Sequence, residues 1–153
     1  MMRLPLLGLL ITVGASPAAA HGIDEYVQGT LVGVSAETVV IALQLTPGQE
    51  VAPAILALLD ADRDGALSAA EEGAYADRVR GDLWLAIDGR PRELRLVSSS
   101  FPPLEAMREG VGYMMLRFEA DVPAGAATHS LAFQNLHQPD IGVYLVNALA
   151  PSD

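Results

Sequence analysis

Four carboxylates and a hydroxyl stand within twelve residues in Asp60-Ala61-Asp62-Arg63-Asp64-Gly65-Ala66-Leu67-Ser68-Ala69-Ala70-Glu71. A hard cation such as calcium takes six to eight oxygens at about 2.3–2.6 Å, and this spacing supplies them from one short loop. Asp60, Asp62 and Asp64 offer side-chain oxygen from one side. The chain must then turn sharply, and Gly65 accepts the positive φ that a residue with a Cβ resists. Ala66 needs no special side chain, because its position contributes a backbone carbonyl. Ser68 contributes directly or through a water, and Glu71 reaches back with both oxygens to close the far side. Without a cation the carboxylates repel one another.

With carboxylates at loop positions one, three, five and twelve and glycine at six, the stretch resembles an EF-hand calcium loop. The resemblance covers the loop and its flanks, and it implies that Asp60, Asp62, Asp64, Ala66, Ser68 and Glu71 hold calcium. The plainer alternative is a solvated acidic turn between two helices.

The flanks must position these oxygens. Val51 to Leu59 is apolar and rich in helix formers, with Pro53 suited to a first turn. Ile55, Leu56 and Leu59 share one face. After the loop, Ser68 and Glu71 make a capping-box pattern, and Tyr75, Ala76 and Val79 form an inner stripe that ends near Gly81. The expectation is helix, loop, helix over about residues 50–81.

The rest of the chain reads as strands. Residues 25–33 and 37–45 form a pair, 83–87 leads into an Asp88-Gly89 hairpin turn, and 93–97 returns. Residues 98–107, with Phe101-Pro102-Pro103, read as a loop or sheet-edge crossing. Strands follow at 111–122, 128–135 and 141–149, the last with Tyr144 inside. About seven strands and one helical excursion predict a mainly β (α+β) fold. The expected form is an antiparallel immunoglobulin-like β-sandwich with the helix-loop-helix inserted between its second and third strands.

The chain has 153 residues, 9 basic against 19 acidic, a net charge of −10 and no cysteine. Residues 1–20 read as a signal peptide: Arg3, then an apolar run from Leu4 to Val13, then Ala18-Ala19-Ala20 before His21. The single domain is therefore expected over residues 21–153, in the periplasm or secreted from a bacterium. No later stretch is long and apolar enough for a transmembrane helix. The acidic balance disfavours nucleic acid as a partner and favours cations, although solubility alone also accounts for it. Thiol chemistry is excluded.

Cleavage after Ala20 would expose the amine and imidazole of His21 to one metal, an arrangement that suits copper. His129 and His137 are the other two histidines. Either supplies a further nitrogen, with Asp24, Glu25 or Asp140 adding oxygen. Surface or structural roles remain the plainer alternative. No G-x-S-x-G, H-E-x-x-H or phosphate-binding glycine loop occurs, so the protein reads as a binder and not an enzyme.

His21 with Glu25-Tyr26, Leu45 to Gly48, Asp88-Gly89, Phe101-Pro102, Asn135 with His137, and Tyr144 to Pro151 resemble the exported front region of HupE/UreJ-like bacterial membrane proteins. That resemblance implies handling of nickel or a related metal. Such proteins continue into membrane helices beyond the part matched here, so transport is not carried over. Two expectations result: an exported calcium binder, or a periplasmic accessory protein for copper or nickel that uses His21.

Overall fold

The computed structural model describes residues 24–125 and 128–149. The expected signal segment and His21 lie outside the described residues. The elements run β1 (Tyr26–Val34), β2 (Thr38–Pro47), α1 (Ala52–Leu59), α2 (Ala69–Gly81), β3 (Leu83–Ile87), β4 (Arg90–Pro91), β5 (Arg95–Ser100), α3 (Leu104–Arg108), β6 (Met114–Asp121), β7 (Leu131–Asn135) and β8 (Gly142–Leu149).

The protein is mainly β, with two sheets. Five strands lie in the order β5-β6-β2-β1-β8, and three in the order β4-β3-β7. Alternation decides which face is inside. In β2, Val39, Ile41, Leu43 and Leu45 are fully buried, and in β6 Met114, Leu116, Phe118 and Ala120 are buried beside them. These join Leu83, Leu85 and Ile87 of β3 in one hydrophobic cluster. Each fully buried aliphatic or aromatic side chain contributes about 1.5–3 kcal/mol.

The helices belong to the same cluster. Ile55, Leu56 and Leu59 of α1 and Tyr75, Ala76 and Val79 of α2 are buried, on the faces expected from their spacing. Pro53 stands in the first turn of α1. Both helices fall between β2 and β3. The Asp88-Gly89 turn takes positive φ at both residues, 53° and 71°, as a two-residue hairpin turn requires.

Three expectations are corrected. The framework is not wholly antiparallel: β8 runs parallel to β1, with Tyr26 opposite Gly142 and Gly33 opposite Leu149. The strand after the hairpin does not stay with β3. It pairs there only through Arg90 and Pro91, crosses at the buried Leu94, and joins β6 in the other sheet. Residues 98–107 are not all loop: Ser98–Ser100 complete β5, and Leu104–Arg108 form α3, which buries Leu104 and Met107. Tyr144 is half-buried.

Candidate metal centre

The acidic loop is shaped by its own side chains. Gly65 has φ +83° and donates its N–H to Asp60 Oδ2 at 3.1 Å, folding the turn back onto its first residue. Asp64 N–H donates to Asp62 Oδ1 at 3.2 Å, and Ala66 N–H to Asp64 Oδ1 at 2.8 Å. Arg63 also takes a positive φ of 63°.

Glu71 closes the loop. Its Oε1 accepts the Ala61 N–H at 2.8 Å, and its Oε2 accepts the Ser68 N–H at 3.0 Å and the Ser68 hydroxyl at 2.7 Å. Ser68 Oγ in turn accepts the Glu71 N–H at 3.3 Å, completing the capping box that starts α2. The Ser68 N–H, then the Ser68 hydroxyl, hold the Glu71 carboxyl below its usual range, with the Ala61 and Asp62 N–H groups adding to the effect against some desolvation.

One oxygen each of Asp60, Asp62 and Glu71 lie within 4.8 Å of one another. Asp64 is not in that group. Asp60 Oδ1 is shielded from solvent and has no hydrogen-bond partner. Leu67 packs against the hydrophobic core, and Phe101 and Pro102 line a recess beside Gly65, Ala66 and Leu67.

The histidines do not come together. His129 precedes β7 and His137 follows it. His129 Nδ1 meets Asp88 Oδ2 at 2.7 Å. His137 is fully buried, and both ring nitrogens are engaged: Nδ1 with Asp82 Oδ2 at 2.8 Å, Nε2 with the Tyr75 hydroxyl at 3.1 Å. Burial lowers its pKa, against the opposing pull of Asp82. Among the described residues, no histidine joins a group of potential metal ligands.

A buried polar network surrounds His137. The Tyr26 hydroxyl lies 2.8 Å from that of Tyr75. Gln28 Nε2 and the Tyr144 hydroxyl both donate to the His137 carbonyl at 2.7 Å, and Asn135 bridges Gln28 to the His137 N–H. With Nδ1–H donated to the Asp82 carboxylate, Nε2 of the neutral ring accepts from Tyr75, which must then accept from Tyr26. Burial raises the phenol pKa of both tyrosines, Tyr26 well above its ordinary value. Sequence reasoning placed Tyr75 on an inner stripe but missed this network. A signal existed in β1, where Gln28 and Thr30 fall on the same inward face as Tyr26 and Val32.

No protein-family model matches the chain, and no curated protein or solved structure matches it. The fold and the site define a mainly β chain of two sheets that carries an acidic helix-loop-helix. No helix among the described residues is long and apolar enough to cross a membrane.

Proposed function

We propose that this protein is an exported calcium binder whose single EF-hand loop is held structurally by the ion. The carrying observation is the convergence of Asp60, Asp62 and Glu71 oxygens within 4.8 Å. The partnerless, shielded Asp60 Oδ1 fits this reading, because an anionic oxygen out of water without a donor is costly unless a cation faces it. Oxygen-only donors suit a hard cation, and nothing in the set favours copper or nickel.

Asp60, Asp62 and Glu71 would hold the ion, with Asp64, the Ala66 carbonyl and Ser68 completing the set expected of such a loop. Bound calcium would supply the positive charge that lets four carboxylates share one turn. Glu71 has two duties: it caps α2 and joins the two ends of the loop. Ordering the loop therefore orders the start of α2, whose Tyr75, Ala76 and Val79 lie in the core. A lone EF-hand needs a brace, and Leu67 against the core provides one.

The immunoglobulin-like reading is retained in part. The order β1-β2-β6-β5 matches the A-B-E-D order of such a sandwich, and β3 beside β7 matches C beside F. The last strand departs, since it pairs with β1 and not with β7. On this reading the helix-loop-helix fills the B-to-C connection.

Extracellular calcium modules bind at about 10⁻⁴–10⁻³ M, which implies standing occupancy rather than signalling. The test is calorimetric titration of the processed protein with calcium, beside Asp60→Asn and Glu71→Gln. A single site lost in both variants supports the proposal. No heat at millimolar calcium leaves only a solvated acidic turn.

A further inference from the structure

The helix-loop-helix leaves from the end of β2 and returns at the start of β3, so it occupies one end of the sheets. The opposite end holds a separate cavity of about 540 Å³, between the β1–β2 turn, the end of β3, residues 122–125 and the stretch from Thr128 to Leu131. That volume is within the range of small-molecule sites, about 300–1,000 Å³. Its walls are mostly apolar: Val34, Val39, Ile87, Val122 and Leu131 all line it. Val39 and Ile87 are fully buried core residues.

One imidazole stands in this apolar wall. His129 lines the cavity, and its Nδ1 is held by Asp88 Oδ2 at 2.7 Å. Asp88 is itself fixed. Its Oδ1 accepts the Ser130 N–H at 2.9 Å, and its backbone is set by the hairpin turn. Hydrogen bonds from His129, then from Ser130, keep its carboxyl below the usual range. The Nδ1–H is thus committed to a carboxylate. Among the described residues, Nε2 has no hydrogen-bond partner. A histidine oriented in this way presents its other nitrogen as a strengthened acceptor.

We propose that this cavity binds a neutral molecule with an apolar body and one hydroxyl, an apolar alcohol or phenol, which donates its O–H to His129 Nε2. The walls supply affinity through apolar burial, and the single acceptor sets orientation. An anionic ligand is disfavoured by the Asp88 carboxylate beside the ring and by the −10 charge of the chain. A metal ion is disfavoured because, among the described residues, His129 belongs to no group of three potential ligands. The site is independent of the acidic loop at the other end.

The probes are 2-naphthol and its methyl ether, 2-methoxynaphthalene, titrated by fluorescence at pH 8 in excess calcium. On the unaltered chain naphthol should bind at least tenfold more tightly than the ether. His129→Phe should remove that difference, and Ala36→Trp, which fills the cavity, should abolish binding of both. In a ¹⁵N spectrum, naphthol should shift the Nε2 resonance of His129 and leave that of His137 in place. Equal affinity for the two probes, no saturable binding of either, or a difference that survives His129→Phe each overturns the proposal. The two-probe comparison on the unaltered chain decides the matter even where a variant fails to fold.

Discussion

Tyr75, midway along α2, places its hydroxyl 3.1 Å from Nε2 of His137, which follows β7 in the smaller sheet. This contact ties the helix leaving the acidic loop to the β framework. Asp82, just past the end of α2, holds the other side of the same ring. The junction is a directional chain, Tyr26 to Tyr75 to His137 to Asp82, so its members are not equivalent.

Tyr75→Phe should cost more than Tyr26→Phe. The first strands both the Tyr26 hydroxyl and the His137 nitrogen in a buried place, at about 1–3 kcal/mol for each group left unsatisfied. The second removes only the terminal donor and leaves Tyr75 donating to His137, at about 1 kcal/mol. Urea unfolding of the two variants checks the order, and equal losses would mean that the chain does not run in this direction.

His137 should make stability fall in mildly acidic solution. Its folded pKa is lowered, chiefly by burial, while the unfolded value is about 6.5. Above that value neither state binds the proton and the full stability is present. As pH falls through it, the unfolded chain takes up a proton that the folded chain refuses, and stability is lost until the folded pKa is reached. Asp82, Arg78, Tyr75 and Tyr26 are the charged or titratable groups around the ring. The Glu71, Asp88 and Asp121 carboxyls are held low, so their stabilisation is lost only at lower pH, as each becomes protonated. Melting temperature against pH should therefore show a separate limb that begins at about pH 6.5 and runs downward, absent in His137→Gln.

Ser68→Ala and Glu71→Gln should separate the cap from the ion. Ser68→Ala loses the side-chain cap of α2, at about 1 kcal/mol in the absence of calcium. Glu71→Gln keeps a side chain that can serve the capping box but removes a charge from the loop. On the proposed function, the unaltered protein gains about 2.7 kcal/mol at a calcium concentration a hundredfold above Kd. Glu71→Gln should lose most of that gain. Thermal melts with and without calcium make the comparison.

Two glycines should respond oppositely to alanine. A Cβ on Gly142 would stand 2.8 Å from the Gln138 carbonyl oxygen and the Tyr144 hydroxyl, and 2.9 Å from Gln28 Nε2. Gly142→Ala therefore pushes into the polar network around His137, at about 1–3 kcal/mol. Gly73 lies within α2 with nothing inside 4 Å of such a Cβ. Gly73→Ala should raise stability by about 1 kcal/mol through helix propensity. Denaturant midpoints of the two variants check both signs.

What the sequence made legible was local. The capping box at Ser68 and Glu71, the buried faces of both helices and the Asp88-Gly89 turn are written within four residues of themselves. Pairings between distant residues were not. Nothing near Tyr26 announces Gly142 as its neighbour, and nothing near Tyr75 announces His137, because these contacts depend on how the sheets close. Helix α3 was hidden by Pro102 and Pro103, which read as loop although a proline can stand just before a helix. Within the acidic loop, the spacing brought Asp60, Asp62 and Glu71 together, while Asp64 instead turns an oxygen to the Ala66 N–H.

The side-by-side run of β1 and β8 bears on the order in which the molecule is built. The first strand can meet β2 early in synthesis, but its other edge stays bare until residues 142–149 have left the ribosome. Partners so far apart in sequence join slowly, since a long loop must close before any contact rewards it. A growing chain therefore carries an unpaired strand edge while more than a hundred further residues are made, about 108 from the end of β1 to the start of β8, and shielding that edge is a task for the cell before β8 takes it over.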